Sequence, residues 1–173
     1  MTAPLLVFGW GNPSRGDDAL GPMFVETLKA LIGDAAAGHV DFLDEYQLQI
    51  EHALDLVGRS AVLFVDASID CSIPFQTTSL RPTRDASFTS HALSPASLMQ
   101  VYRDLRRAEP PPCTLLAIRG SRFGLGEPPE RLALLHMTQA LTWGQGWVAR
   151  FGELDHAMDE RESFPTAFAT NAT

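Results

Sequence analysis

The sequence predicts a single-domain α/β protein: a three-layer α/β/α sandwich around a mostly parallel twisted sheet, with one antiparallel edge strand. Three observations lead there. Short, almost wholly apolar runs recur along the chain, as strands buried on both faces require. Between most of them lie segments with apolar residues at helical spacing. The length, 173 residues, suits one buried core.

The elements follow in order. "PLLVFGW" (4–10) is a buried strand ending in glycine. The next segment, to a stop at Gly33, sets Leu20, Phe24, Leu28 and Leu31 on one helical face. "HVDFLD" (39–44) is a second strand, and "QIEHALDLVG" (49–58) a helix with Ile50, Ala53, Leu54 and Val57 inward. "AVLFVDAS" (61–68) is the clearest strand, apolar until Asp66. "PFQTTSLRP" (74–82) alternates weakly between prolines, which confines it to an edge. "SPASLMQVYRDLRR" (94–107) opens a helix with Ser94 as N-cap and Pro95 at its first position. "CTLLAIRG" (113–120) is another buried strand. A helix over 128–153 places Leu134, Met137 and Leu141 on one face, with Gly144 and Gly146 weakening its later turns and Trp143 and Trp147 at packing distance. The domain spans 1–154, and from about Asp155 the chain is polar, aperiodic and expected to be frayed.

Composition narrows the function. Thirteen basic against 21 acidic residues give a net charge of -8, which argues against nucleic acid as the partner. No apolar run reaches the roughly 20 residues of a membrane span, and the first residues lack a basic start, so no signal peptide is expected and the protein is read as cytoplasmic. Two unclustered cysteines, Cys71 and Cys113, fit a reducing compartment. There is no GxxxxGK[ST], no HExxH and no G-x-S-x-G elbow, and "GWGNPS" lacks the third glycine of a dinucleotide fingerprint.

Sites in parallel sheets gather at the carboxyl ends of the strands. There the chain places Asn12, Asp17 and Asp18, then Asp44, then Asp66, with His91 before the later helix and Arg119 after the last strand. Asp18, Asp66 and His91 could share one crevice and offer a divalent ion, zinc or nickel, two carboxylates and an imidazole. Each also has a plainer reading. Asp17 or Asp18 can cap a helix, Asp66 can hold a turn, and a loop histidine can be solvated. His39, His52, His136 and His156 lack a strand-end position.

"LVFGWGNPSRGDDALGPMFVETL" resembles the opening of the nickel-iron hydrogenase maturation endopeptidases, which reads G-x-G-N-x-x-x-x-D-D/E-x-x-G. "VLFVDAS" and "SHALSPASLMQVY" resemble their second and third motifs, in the same order and spacing. The resemblance implies an endopeptidase that removes a C-terminal extension from the hydrogenase large-subunit precursor after nickel insertion. It puts the metal-contacting residues at Asp18, Asp66 and His91, and an aspartate that orients or deprotonates water at Asp44. Nickel would belong to the substrate, with no permanently bound metal. Where many members follow that aspartate with two glycines and a threonine, this chain has "DEYQLQIEHALDL"; with "IRGSRFGLGEPPE", this resembles the subgroup acting on NAD-reducing hydrogenases. Substrate contacts are then expected from Gly9, Gly11, Asn12, Glu45, Tyr46, Gln47 and Arg119. In this reading Gly9 and Gly11 admit a partner backbone, Asp17 caps the helix, Asp18 projects as a ligand, and the protein acts as a monomer. Two other classes stay open. "GWGNPSRG" also resembles the start of peptidyl-tRNA hydrolases, although their following histidine-asparagine pair is missing, and a nickel carrier without enzymatic activity is the third.

Overall fold

The structure, a computed structural model, describes residues 2–33, 38–84 and 93–162, with side chains as far as Phe151. The apolar runs form β1 (Leu5–Trp10), β2 (Val40–Glu45), β3 (Ala61–Ser68), β4 (Phe75–Ser79) and β5 (Cys113–Arg119). The periodic segments form α1 (Leu20–Ile32), α2 (Pro95–Arg106) and α3 (Arg131–Glu162), with 3-10 turns at Gly16–Ala19 and Ile50–Leu56. The five strands make one sheet in the order β2-β1-β3-β5-β4. β2, β1, β3 and β5 run parallel, and β4 closes the edge antiparallel to β5. This is the architecture expected from the sequence.

Alternation along the strands builds two cores. Leu5 and Val7 of β1, with Leu63 and Val65 of β3, face Phe24 and Leu28 of α1 and Met137 and Trp147 of α3. Leu6 and Phe8, with Val62 and Phe64, face Leu56, Leu98 and Tyr102 on the other side. Phe8, Phe24 and Phe64 are fully buried, each worth about 2–3 kcal/mol of transfer free energy. Ser94 caps α2, its hydroxyl oxygen accepting from the Ser97 N–H at 3.1 Å. Trp147 packs against Phe151 with the rings tilted, and Trp143 lies near Phe75, so both tryptophans pack.

Four local expectations change. Residues 50–56 form a 3-10 helix rather than an α-helix. Three residues per turn instead of 3.6 rotate the inward face onto His52, Ala53 and Leu56. Ile50 and Leu54 are left 63% and 57% exposed. Leu31, in the last turn of α1, points outward. Gly144 does not loosen α3: a Cβ there would sit 2.7 Å from the Phe24 ring, so the glycine lets α3 close on α1. The helix runs on to Glu162, past the point where the periodicity fades.

Candidate functional site

The strand order fixes where a site can form. From β1 the chain steps outward through α1 to β2, then returns past β1 to β3. The crevice of such a sheet lies where the order reverses, outside the carboxyl ends of β1 and β3. Asp18, in the turn that follows β1, and Asp66, near the end of β3, both belong to that crevice.

Asp66 is half-buried, and its titration is pushed from 3.8 up to about 7. Burial is the main cause; the Ala67 N–H, which donates to the carboxylate, opposes it, and the nearby Asp18 charge adds to it. The two acids are thus close enough to feel one another. Asp18 is itself held by the Asn12 N–H, which donates to Oδ2 at 2.8 Å. Beside Asp66 opens a cleft of about 460 Å³, walled by Ile69, Leu115, Ala117 and Phe123 and edged by Ser68 and Asp70. A carboxyl group that changes charge near neutrality, next to a second acid and a cleft, can exchange a proton or take up a cation.

Asp17 behaves differently from the expectation. Neither the 3-10 turn at Gly16–Ala19 nor α1 has a side-chain cap. Asp17 is 0% exposed. Its Oδ2 accepts from the Ser121 and Arg122 N–H groups at 2.7 and 2.9 Å, and its Oδ1 from the Glu130 N–H at 2.7 Å. Its charge is spent on the loop after β5 and on the N–H at the head of α3, and not on the helix that follows it in sequence. That loop also pairs with the first turn through the backbone. Gly16 N–H donates to the Glu127 carbonyl at 2.9 Å, Asp17 N–H to that of Arg122 at 2.7 Å, and Gly126 N–H to that of Ser14 at 2.7 Å.

Gly9 and Gly11 also sit against close neighbours. A Cβ on Gly9 would run into the Gly21 carbonyl and Val25. Gly11 adopts a φ of 143° and faces the Asp18 carbonyl. The backbone brought close by these glycines is the chain's own. Asn12 shapes the same turn, its Oδ1 accepting from the Ser14 N–H at 2.9 Å.

The other expected positions are spread around this end of the sheet. Asp44 pairs in register with Gly9 and is exposed. It stands on the far side of β1 from Asp66, so the two backbones are about 10 Å apart. Glu45 gives its carbonyl to the Gly11 N–H at 3.0 Å; Tyr46, 66% exposed, and Gln47 follow in the loop. Arg119 donates from Nη1 to the Ser72 carbonyl at 3.1 Å, tying down the loop after β3. His91 lies outside the described residues. Among the described residues, no three His, Cys, Asp or Glu are grouped to hold a metal ion. His52 and His136 have structural partners: His52 Nδ1 accepts from the Gln49 N–H at 2.9 Å, and His136 Nδ1 meets the Arg119 carbonyl at 3.0 Å. Cys71 and Cys113 are free and buried, and burial pushes the Cys113 thiol up to about 12. Among the described residues, no helix is long and apolar enough to cross a membrane.

Sequence reasoning missed Phe123 as a cleft wall and Asp17 as a long-range tie. The glycine-rich stretch 120–126 was the one hint, since tight loops at strand ends often frame sites.

No protein-family profile and no curated protein matches the chain. Solved structures share the fold. The NiFe hydrogenase maturation protease HycI from Thermococcus kodakarensis superposes with a TM-score of 0.64 at 21% identity, over 86% of this chain and 93% of that one. The hydrogenase maturating endopeptidase HybD from E. coli gives 0.63 at 18% identity, over 86% and 93%. The hydrogenase 2 maturation peptidase from a Thaumarchaeota archaeon gives 0.60 at 20% identity, over 84% and 97%.

Proposed function

We propose that this chain is an endopeptidase that trims the C-terminal extension of a nickel-iron hydrogenase large-subunit precursor after nickel insertion. One observation carries the reading: two acids, Asp18 and Asp66, sense each other at the switch crevice beside an open cleft, and one of them titrates near 7. The shared fold with hydrogenase maturation proteases supports it, as do the three ordered sequence motifs. The segment 44–56 and the loop 119–130 favour the kind acting on NAD-reducing hydrogenases.

In this reading the nickel arrives with the substrate. Asp18 and Asp66 offer it carboxylate oxygens and His91 an imidazole, completing a shell that the precursor supplies in part. An ion held by these residues would take the place of the proton that burial favours on Asp66. Held there, the ion would supply Lewis-acid chemistry, to polarise the scissile carbonyl or activate a water. Asp44, at the same end of the sheet, orients or deprotonates that water. Tyr46, Gln47 and Glu45 on one side, and Arg119 on the other, frame the incoming segment. The protein acts as a cytoplasmic monomer.

The test is incubation with nickel-loaded and nickel-free precursor, followed by mass measurement of the large subunit. Loss of a C-terminal peptide from the loaded form alone is the expected result. Asp18→Ala, Asp66→Ala and His91→Ala should each keep the native circular dichroism and stop cleavage. Full cleavage by two of them overturns the ligand assignment. Salt-dependent tRNA binding, or tight nickel uptake by the isolated protein, would point to the other two classes.

A further inference from the structure

We propose that Asp17 is a positioning residue for the reaction, fixing the loop after β5 against the acid-bearing turn so that the cleft wall and the two acids keep one geometry. The proposal rests on the endopeptidase reading above. Asp17 is one peptide unit from Asp18. Its partners Ser121 and Arg122 immediately precede Phe123, which walls the cleft beside Asp66. Its third partner, Glu130, stands at the head of α3. A single carboxylate therefore joins the turn after β1, the loop after β5 and the start of the last helix.

The chemistry suits a fixed post. Three backbone donors converge on a fully buried carboxylate, so both oxygens are used and the charge is met without a basic side chain. The glycines around it leave no slack. A Cβ on Gly120 would lie 2.7 Å from the Asp17 Cβ. Gly16 has a φ of 55°, and a Cβ there would strike the Arg122 carbonyl. Shape on both sides, as well as hydrogen bonding, holds the post in place. A cap of the helix that follows Asp17 would not need partners 104 to 113 residues away in the sequence. Moving Asp18 relative to the Phe123 wall by an ångström is the size of displacement that costs about a hundredfold in rate.

Two variants and one native-state measurement test this. Asp17→Asn keeps the size and two of the three acceptor contacts but turns an N–H group toward one donor. Gly120→Ala keeps the carboxylate and displaces it. Each is assayed on nickel-loaded precursor well below its melting temperature, with the folded fraction set by circular dichroism. The expected result is a kcat reduced about ten- to a hundredfold in both, with KM changed less than threefold and the folded fraction unchanged. A merely structural role lowers the melting temperature and leaves kcat of the folded protein intact, so kcat within twofold of wild type in either folded variant overturns the proposal. Hydrogen exchange on the wild-type protein decides the case where neither variant folds: slow exchange at the amides of Ser121, Arg122 and Glu130 is expected, and exchange at free-peptide rates overturns the post. A wild-type protein that leaves the loaded precursor intact overturns the endopeptidase reading and the positioning role together. An active wild type with indifferent variants overturns the positioning role alone.

Discussion

Asp17 and Asp66 are the same acid in two regions a short distance apart, and they meet opposite conditions. Around Asp17 the backbone turns three N–H groups inward, so a charge with no exposure at all is fully answered. Around Asp66 one backbone donor works against burial and against a neighbouring acid, and the group holds its proton until about pH 7. The difference shows how a buried carboxylate comes to serve the fold or the chemistry. When its hydrogen bonds are complete, the charge locks structure. When they are incomplete and a cleft is at hand, the charge is left for something that arrives later.

The largest expected effect tests the answered side. Asp17→Ala takes the acceptor from three backbone N–H groups and should lower stability by about 3 kcal/mol at pH 7, measured by urea unfolding. A loss under about 1 kcal/mol would mean that water or a rearranged loop replaces the carboxylate, and the contrast would break.

The next effect tests the unanswered side, and its sign is opposite. The native Asp66 carboxyl titrates near 7, against 3.8 in an ordinary setting. Between those values the folded protein binds more protons than the unfolded chain, so stability falls as pH rises. The contribution of this group is most favourable below 3.8, declines through the window, and is lost above about 7. Asp66→Asn should therefore stabilise the protein at pH 8, by about 2 to 4 kcal/mol, and much less at pH 5. A destabilising effect at pH 8 would show that Asp66 is better satisfied than its surroundings indicate.

A smaller effect sharpens the comparison by removing the neighbour. Asp18→Asn should move the Asp66 titration downward in an NMR pH series, by less than burial moves it up, because the like charge is the lesser cause. As a control outside both regions, Ser94→Ala removes the cap of α2 and should cost about 1 kcal/mol with no change in the Asp66 titration.

Much of this arrangement can be read from the chain itself, and the part that cannot has a common cause. Strands buried on both faces announce themselves as unbroken apolar runs, so β1, β3 and β5 fall within a residue or so of where the sequence puts them. Prolines beside 74–82 identify the edge, and Ser94-Pro95 marks a helix start. The strand-end acids are visible for the same reason, since the run stops where the polar group begins. By contrast, seven residues are too few to separate a period of 3 from one of 3.6, which is why the Ile50–Leu56 face came out rotated. Asp17 looks like a local cap because its sequence neighbours suggest one. Its real partners lie more than a hundred residues downstream and leave no mark on any nearby pattern. The glycines at 9 and 11 signal close approach without saying what approaches, and the answer is the chain itself.

The knitting of the turn near residue 16 to the loop near residue 122 also sets an order of events. Contacts between such distant stretches cannot form until the chain has been made past residue 120. A nascent chain that has emerged only as far as β4 already carries both Asp18 and Asp66, yet lacks the loop that frames them. The mouth of the molecule is thus among the last things to be built, and an unfinished copy has its acids without the frame that aims them.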